Sequence, residues 1–158
     1  MIKLGFVGSG FAARFQHHSV RRVFDVPVEV VGVYSPTKKN REKFAAERNL
    51  RAFDSLDALC DAVDAVTVCA PGAAHEKVAV EVLRSGRHVI VEKPFTGYYG
   101  DGREDFRGDR CPKELMLREA LASSRRMLEA EQASGKTIFY AEDWVYAPAI
   151  QKAREILV

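Results

Sequence analysis

The sequence IKLGFVGSGFAA, residues Ile2–Ala13, joins a short apolar run to the pattern GxGxxA. The apolar run predicts a β-strand, and the residues after the glycines have helical spacing. Gly8 permits a tight turn, Gly10 lets the backbone approach a pyrophosphate, and Ala13 lets the helix pack closely on the strand. The start of that helix would offer N–H groups and partial positive charge to phosphates. The stretch therefore predicts a dinucleotide-binding turn; the alternative is a strand-to-helix turn whose glycines serve geometry alone.

The rest of the chain alternates β-branched apolar runs with charged segments of helical spacing. This alternation predicts βαβ units and a parallel sheet, and near-continuous apolar strands indicate helices on both faces. We therefore expect an α/β fold, a doubly wound parallel sheet of the Rossmann type. The expected strands are 2–7, 28–34, 51–53, 65–69, 88–91 and 137–140, and the main expected helices are 11–24, 37–48, 74–84, 113–134 and one starting at Pro148. The core candidates of helix 113–134 are Leu117, Leu121, Met127 and Leu128.

Length and composition are those of an ordinary globular protein. The chain has 158 residues, of which 47% are hydrophobic and 29% charged, and a net charge of +2 from 24 basic and 22 acidic residues. This balance argues against nucleic acid or an anionic membrane as the main partner. No apolar run approaches the roughly 20 residues of a membrane span. Three cysteines without paired spacing favour a reducing, cytoplasmic location.

The end of the second expected strand bears on which dinucleotide would bind. An Asp or Glu there would hydrogen-bond the ribose 2′-hydroxyl of NAD, but residues 34–39 read YSPTKK and contain no acid. The hydroxyls of Ser35 and Thr37 and the charge of Lys38 would suit a 2′-phosphate. We therefore expect NADP(H) in preference to NAD(H). The alternative is that Lys38 and Lys39 are solvated charges on a surface helix.

The run VIVEKPF, Val89–Phe95, ends an expected buried strand in an acid, a base and a proline. Charged groups are costly to bury without a role, and ligands of open α/β sheets bind beyond the carboxyl ends of the strands. A lysine held there beside a nicotinamide could donate or accept a proton while hydride moves. Lys93 is thus the candidate catalytic residue, and Pro94 would stiffen the turn that aims it. The alternative is a surface ion pair between Glu92 and Lys93.

Together these segments resemble the Gfo/Idh/MocA family, the relatives of glucose–fructose oxidoreductase and inositol dehydrogenase. The resemblance rests on GFVGSGFAA from Gly5, AVTVCAPGAAHEKVAVEVLRSGRHVIVEKPF from Ala65, and FYAEDWVYAP from Phe139. It implies an NAD(P)-dependent oxidoreductase that moves hydride between the nicotinamide and a sugar, polyol or related substrate, with Lys93 as the catalytic lysine. The cofactor contacts that it implies are Gly8, Gly10, Phe11 and Ala12 at the pyrophosphate, Ala70 and Pro71 beside the nucleotide, and His75, Glu92 and Glu142. For His75 the alternative is a local hydrogen bond at a helix start.

Two features depart from the family pattern. Relatives carry a second α/β domain that supplies the substrate pocket, and we expect this C-terminal domain to be absent from the chain. The expected division is a dinucleotide-binding domain at 1–140, with a loop insertion at 96–112, and at 141–158 a crossover and first helix leading to the missing domain. Such a chain would bind nucleotide without turning over substrate, and its exposed apolar surface favours a homo-oligomer. The insertion would be a lid, a subunit contact or a tolerated surface loop.

Two other functions stay open on the sequence. One is a non-catalytic nucleotide-binding or sensing module that lacks the catalytic domain, against which the intact Glu92-Lys93 pair argues. The other is a methyltransferase built on a similar sheet, which the EKP strand end disfavours and which would bind adenosylmethionine.

Overall fold

A computed structural model describes residues 1–100, 102 and 105–157. Within them, six strands form one sheet in the order β3-β2-β1-β4-β5-β6, and every pairing is parallel. The strands are β1 (Ile2–Val7), β2 (Val28–Tyr34), β3 (Arg51–Ala52), β4 (Ala65–Val68), β5 (His88–Glu92) and β6 (Ile138–Ala141). The order runs outward in both directions from β1 and β4, so the doubly wound Rossmann-type sheet is confirmed.

Helices connect the strands and cover both faces. They are α1 (Phe11–Val20), α2 (Lys38–Ala46), α3 (Leu56–Ala62), α4 (His75–Arg84), α5 (Lys113–Ser134) and α6 (Pro148–Leu157). The first helix, expected to reach Phe24, ends at Val20. The N–H groups of Arg22 and Val23 bond the carbonyls of the residues three positions earlier, which tightens and closes the last turn. Among the described residues, no helix has the length and apolar character that a membrane crossing would require.

The core has two layers because successive strand residues point to opposite faces of the sheet. The layer beneath α3, α4 and α5 includes Val66, Val68, Val89, Val91, Leu59, Val82, Leu83 and Met127. The layer beneath α1 and α2 includes Leu4, Phe6, Val33, Ala13, Phe44 and Ala45. Burial on both faces explains why the strands are almost continuously apolar.

The long helix α5 corrects part of the expected core. Met127 is fully buried, but Leu117, Leu121 and Leu128 are 60%, 46% and 45% exposed. At 3.6 residues per turn, these leucines lie roughly 120–160° around the helix from the buried position Ser123. α5 packs on α4 through the face that carries Ser123 and Met127, so the leucines face solvent and their assignment to the core is wrong.

Strand register brings the expected site residues to one edge of the sheet. Val7 lies opposite both Tyr34 and Val68, and Val68 lies opposite Val91. The segments that follow β1, β2, β4, β5 and β6 therefore all leave the same carboxyl edge, where ligands of such sheets bind.

The segment 96–112 is described except at positions 101, 103 and 104, so that part of the expected loop insertion lies outside the described residues. The Thr96 hydroxyl donates to the carbonyl of Ala120 in α5 at 2.9 Å. The rings of Tyr98 and Phe106 meet edge to face at 5.4 Å. The first contact ties the beginning of the segment to α5, and the second joins two parts of the segment to each other.

Candidate functional site

The turn after β1 has the geometry of a phosphate cradle. Gly8 has φ +109°, and a Cβ on it would lie 2.6 Å from the carbonyl oxygen of Cys69. Only glycine fits this position without strain. A Cβ on Gly10 would meet no atom within 4 Å, so the backbone at the start of α1 is open. Among the described residues, no side chain caps α1 and no acid lies in its first turn, which leaves its N–H groups and dipole available to an anion.

The residues expected to select the dinucleotide lie at the turn after β2. Ser35 is 5% exposed, and its Oγ lies 3.3 Å from the Oγ of Ser9 in the glycine turn. Thr37 is the N-cap residue of α2 but makes no side-chain capping bond within the described part of the chain. Lys38 is exposed and lies 3.7 Å from the Glu42 carboxylate. The turn thus joins the phosphate cradle through Ser35 and places Lys38 at the solvent side.

Arg41, which sequence reasoning missed, stabilises this turn by a hydrogen bond to its backbone. Its guanidinium is buried and donates to the carbonyl oxygen of Ser35 at 3.3 Å and to Asp54 at 2.5 Å. A charged residue in a charged helix gives no sequence signal of burial, so only packing reveals this role.

His75 ties the ends of β4 and β5 together. Its ring is 1% exposed; Nδ1 lies 2.9 Å from the carbonyl oxygen of Pro94, and Nε2 lies 3.0 Å from that of Ala70. Both ring nitrogens thus lie within hydrogen-bonding distance of backbone carbonyls of the two loops, and the neutral ring can donate to one of them. The local hydrogen-bond alternative describes this environment better than direct contact with a ligand. Pro71, the next residue after Ala70, is exposed and accepts the first bond of a short 3-10 turn.

Glu92, at the end of β5, is held on both of its oxygens. Oε1 accepts a hydrogen bond from Gln16 Nε2 at 2.6 Å, and Oε2 accepts one from the Lys93 backbone N–H at 2.9 Å. The first contact joins α1 to a strand 76 residues away. Burial, and to a smaller extent the nearby charge of Glu92, raises the pKa of the Cys69 thiol. Glu92 is therefore a fixed carboxylate that anchors the turn carrying Lys93.

Lys93 is exposed and lines a groove of about 610 Å³ that lies between α1 and the carboxyl edge of the sheet. The Lys93–Pro94 peptide bond is cis. Six of the sequence-predicted residues line this groove together: Phe11, Ala12, Ala70, Glu92, Lys93 and Glu142. The groove also contains Gln16, Asp143 and Tyr146, which sequence reasoning missed. The other predicted site residues do not line it: Gly8, Gly10, Ser35, Thr37, Lys38, Pro71 and His75.

The far wall of the groove is formed by the segment after β6. Glu142 accepts a hydrogen bond from the Trp144 backbone N–H at 3.2 Å and a long one from the Tyr140 hydroxyl at 3.4 Å. Burial and the charge of Glu142 raise the pKa of Tyr140. Among the described residues that line the groove, Lys93 supplies the one ammonium group, and the Glu92 and Glu142 carboxylates are positioned by hydrogen bonds. Such an arrangement can move a proton at a bound hydroxyl or carbonyl.

Comparison with known proteins finds several dehydrogenases among the relatives of the chain. The chain is 34% identical over 95 residues to UDP-N-acetylglucosamine 3-dehydrogenase of Acidithiobacillus ferrooxidans. It is 32% identical over 94 residues to glucose-6-phosphate 3-dehydrogenase of Bacillus subtilis. It is 33% identical over 98 residues to scyllo-inositol 2-dehydrogenase (NADP(+)) of the same organism. Each match covers 60% of this chain but only 29%, 26% and 29% of the respective relative.

The solved structure of the Acidithiobacillus ferrooxidans enzyme superimposes on the chain with a TM-score of 0.74 and 25% identity. The superposition covers 98% of this chain and 43% of that one. The chain thus spans less than half the length of the relatives it matches. Residues 2–106 match the model of an oxidoreductase family with an NAD-binding Rossmann fold. Because this match covers more than half of the sequence, the chain belongs to the Gfo/Idh/MocA family.

Proposed function

We propose that the chain is the nucleotide-binding portion of an NAD(P)-dependent oxidoreductase that transfers hydride between the nicotinamide and a sugar or polyol. The observation that carries this proposal is that Lys93 lines one groove together with Phe11 and Ala12, the two residues that follow the glycine turn. The substrate class is taken from the relatives, which are named for a nucleotide sugar, a sugar phosphate and an inositol.

The residues present fit a dinucleotide. The open backbone at Gly10 and the uncapped start of α1 would hold its pyrophosphate. When bound, the nicotinamide supplies or accepts the hydride. Lys93 would give or take the hydroxyl proton of the substrate. Glu92, whose oxygens are already engaged by Gln16 and the Lys93 amide, would act by fixing the position of the lysine turn.

NADP(H) is the cofactor that we propose. Lys38 and Lys39 are the first two residues of α2, and among the described residues its first turn contains no acid. Cations at the N-terminus of a helix are opposed by the helix dipole. A 2′-phosphate bound there would offset both the dipole and the two lysine charges. The relative whose name specifies NADP(+) is consistent with this choice.

The test is a calorimetric titration of the protein with NADPH, NADH and adenosylmethionine. We expect NADPH to bind most tightly, and Lys38→Glu to weaken NADPH about ten-fold or more while changing NADH little. Lys77→Glu makes the same charge change at an exposed position on α4 and should leave both affinities unaltered. Equal affinities for NADPH and NADH would remove the cofactor preference. Binding of neither nicotinamide nucleotide to the folded protein would contradict the oxidoreductase assignment.

We also propose that residues 1–140 are the dinucleotide-binding domain and that residues 141–158 lead toward a second domain that supplies the substrate pocket. In support, the sheet ends with β6 and α6 buries none of its described residues. Trp144 and Tyr146 also expose large aromatic surfaces beside the groove. By itself such a chain would bind nucleotide without turning over substrate and would self-associate through this surface. Sedimentation velocity of the wild type and of Trp144→Ser tests the association, which the substitution should weaken.

A further inference from the structure

A second groove lies on the opposite side of α1 from the Lys93 groove. Its volume is about 700 Å³, and it runs between the second half of α1 and the C-terminal end of α2. The residues that line it are Arg14, His17, His18, Arg21, Arg22, Phe24, Glu47 and Arg48. None of them lines the Lys93 groove, whose α1 residues are Phe11, Ala12, Phe15, Gln16, Ser19 and Val20. We call this second space the arginine groove.

The arginine groove concentrates positive charge in a nearly neutral protein. Four arginines and one glutamate line it, which gives a formal charge of +3 with both histidines neutral. The rest of the chain has 20 basic and 21 acidic residues. The one carboxylate, Glu47, lies 2.9 Å from Arg48 and 3.9 Å from Lys43. Within the described residues, Arg14 and Arg21 form no ion pair with a carboxylate, so Glu47 is the one counter-charge to four arginines in the groove.

Arg48 is ordered by its surroundings. Its guanidinium lies 4.1 Å from the centre of the Phe44 ring and donates to the Phe44 carbonyl oxygen at 3.2 Å. Arg22 in turn donates to the carbonyl oxygen of His18 at 3.0 Å. Two of the four guanidinium groups are therefore held in place before any ligand arrives, which lowers the entropy cost of binding.

His17 forms the floor of the arginine groove. It is 8% exposed, with its ring centre 6.3 Å from that of Phe6 and 6.4 Å from that of Phe44. In the described part of the structure, its ring makes no hydrogen bond. Burial lowers the pKa of His17, and the charges of Arg48, Arg21 and His18 lower it further. The His17 ring is thus a largely buried polar group at the base of a cationic groove.

Capping of α1 explains only part of this arrangement. Arg21 and Arg22 follow the last residue of α1, where cations complement the helix dipole. That role does not require Arg14, one turn inside the helix, or Arg48, which comes from the other side of the groove. Capping also does not explain why His17, whose ring makes no hydrogen bond within the described residues, lies in the same groove as these arginines.

We propose that the arginine groove binds a small ligand that presents phosphoryl groups, separately from the dinucleotide. Guanidinium groups match phosphoryl oxygens in charge and in bidentate geometry. The His17 ring would complete the site from below as a hydrogen-bond donor. The groove, with its volume of about 700 Å³, accommodates a diphosphate or a phosphate ester.

The test is a titration of the NADPH-saturated protein with inorganic pyrophosphate at constant ionic strength, followed by calorimetry and by the NMR signals of His17. We expect saturable binding that shifts the His17 signals. Arg21→Gln, at an exposed position, should weaken it about ten-fold or more. Arg125→Gln removes the same charge from an exposed position on α5 and should change the affinity less than about two-fold. The same titration with glycerol 3-phosphate tells whether the groove prefers a phosphate ester or an inorganic phosphate as its ligand.

Three results would overturn the proposal. One is equal weakening by Arg21→Gln and Arg125→Gln, which would reduce the effect to net charge. Another is citrate binding as tightly as pyrophosphate, which would remove the phosphoryl assignment. The third is the absence of saturable binding at millimolar pyrophosphate. Because Arg21 and His17 line the arginine groove and not the Lys93 groove, the same comparisons can be made without NADPH, and their outcome does not depend on the proposed oxidoreductase function.

Discussion

The bond between Gln16 and Glu92 allows the sharpest test of how the site is built. Gln16→Met keeps the length and approximate volume of the side chain but removes the amide that donates to Glu92 at 2.6 Å. Hydrogen bonds to a charged group contribute about 1.5–3 kcal/mol. Glu92 keeps its second bond, to the Lys93 amide, and water in the groove can reach the vacated oxygen. We therefore expect the free energy of unfolding to fall by about 1–2 kcal/mol.

The assay is urea unfolding followed by circular dichroism, arranged as a double-mutant cycle. The four proteins are the wild type, Gln16→Met, Glu92→Gln and the double variant. Because Gln16 donates directly to Glu92, the coupling energy between the two sites should be about 1 kcal/mol or more. The matched control is Gln132→Met, the same substitution at an exposed position of α5, which should change stability by less than about 0.5 kcal/mol.

A coupling energy indistinguishable from zero would refute the reasoning. It would mean that α1 does not hold the Glu92 carboxylate and that the position of the Lys93 turn is set by the strand alone. A loss of stability equal to that of Gln132→Met would have the same meaning, since it would report helix propensity and not the bond.

Three further outcomes follow from the geometry. Gly8→Ala should cost about 1–3 kcal/mol or more of stability in urea unfolding, because of its positive φ and its approach to Cys69, whereas Gly10→Ala should cost less. His75→Ala should cost about 2–5 kcal/mol, because it leaves a cavity and removes the hydrogen-bond donor between the Ala70 and Pro94 carbonyls; an unchanged melting temperature would contradict the tie between β4 and β5. The folded-state pKa of His17 is lowered, so folding stability should be full above the ordinary value of 6.5 and decline as pH falls below it. His17→Leu should flatten that decline between neutral and mildly acidic pH, and an unaltered slope would exclude His17 as its source.

Much of the fold followed from local pattern. The second strand and the long helix begin and end where the sequence predicts, because apolar periodicity and flanking breakers are local properties. The site was partly predictable for the same reason. The ends of parallel strands meet at one edge, so the lysine turn was expected beside the glycine turn and Ala70-Pro71; Ala70 and Lys93 do line one groove, whereas Gly8, Gly10 and Pro71 do not. The prediction that the α5 leucines belong to the core was wrong, because apolar spacing does not say which face of a helix meets the neighbouring helix.

The sequence alone therefore determined the strand and helix order, the glycine turn and the lysine turn, since each depends on residues close together in the chain. Tertiary structure decided the rest. It paired Gln16 with Glu92 across 76 residues and turned His75 inward onto two loop carbonyls. It also placed Arg48, which follows the end of α2, in the same groove as Arg14 of α1. These contacts depend on how each helix is rotated and seated against the sheet, which is set by packing of the whole core and not by any local spacing.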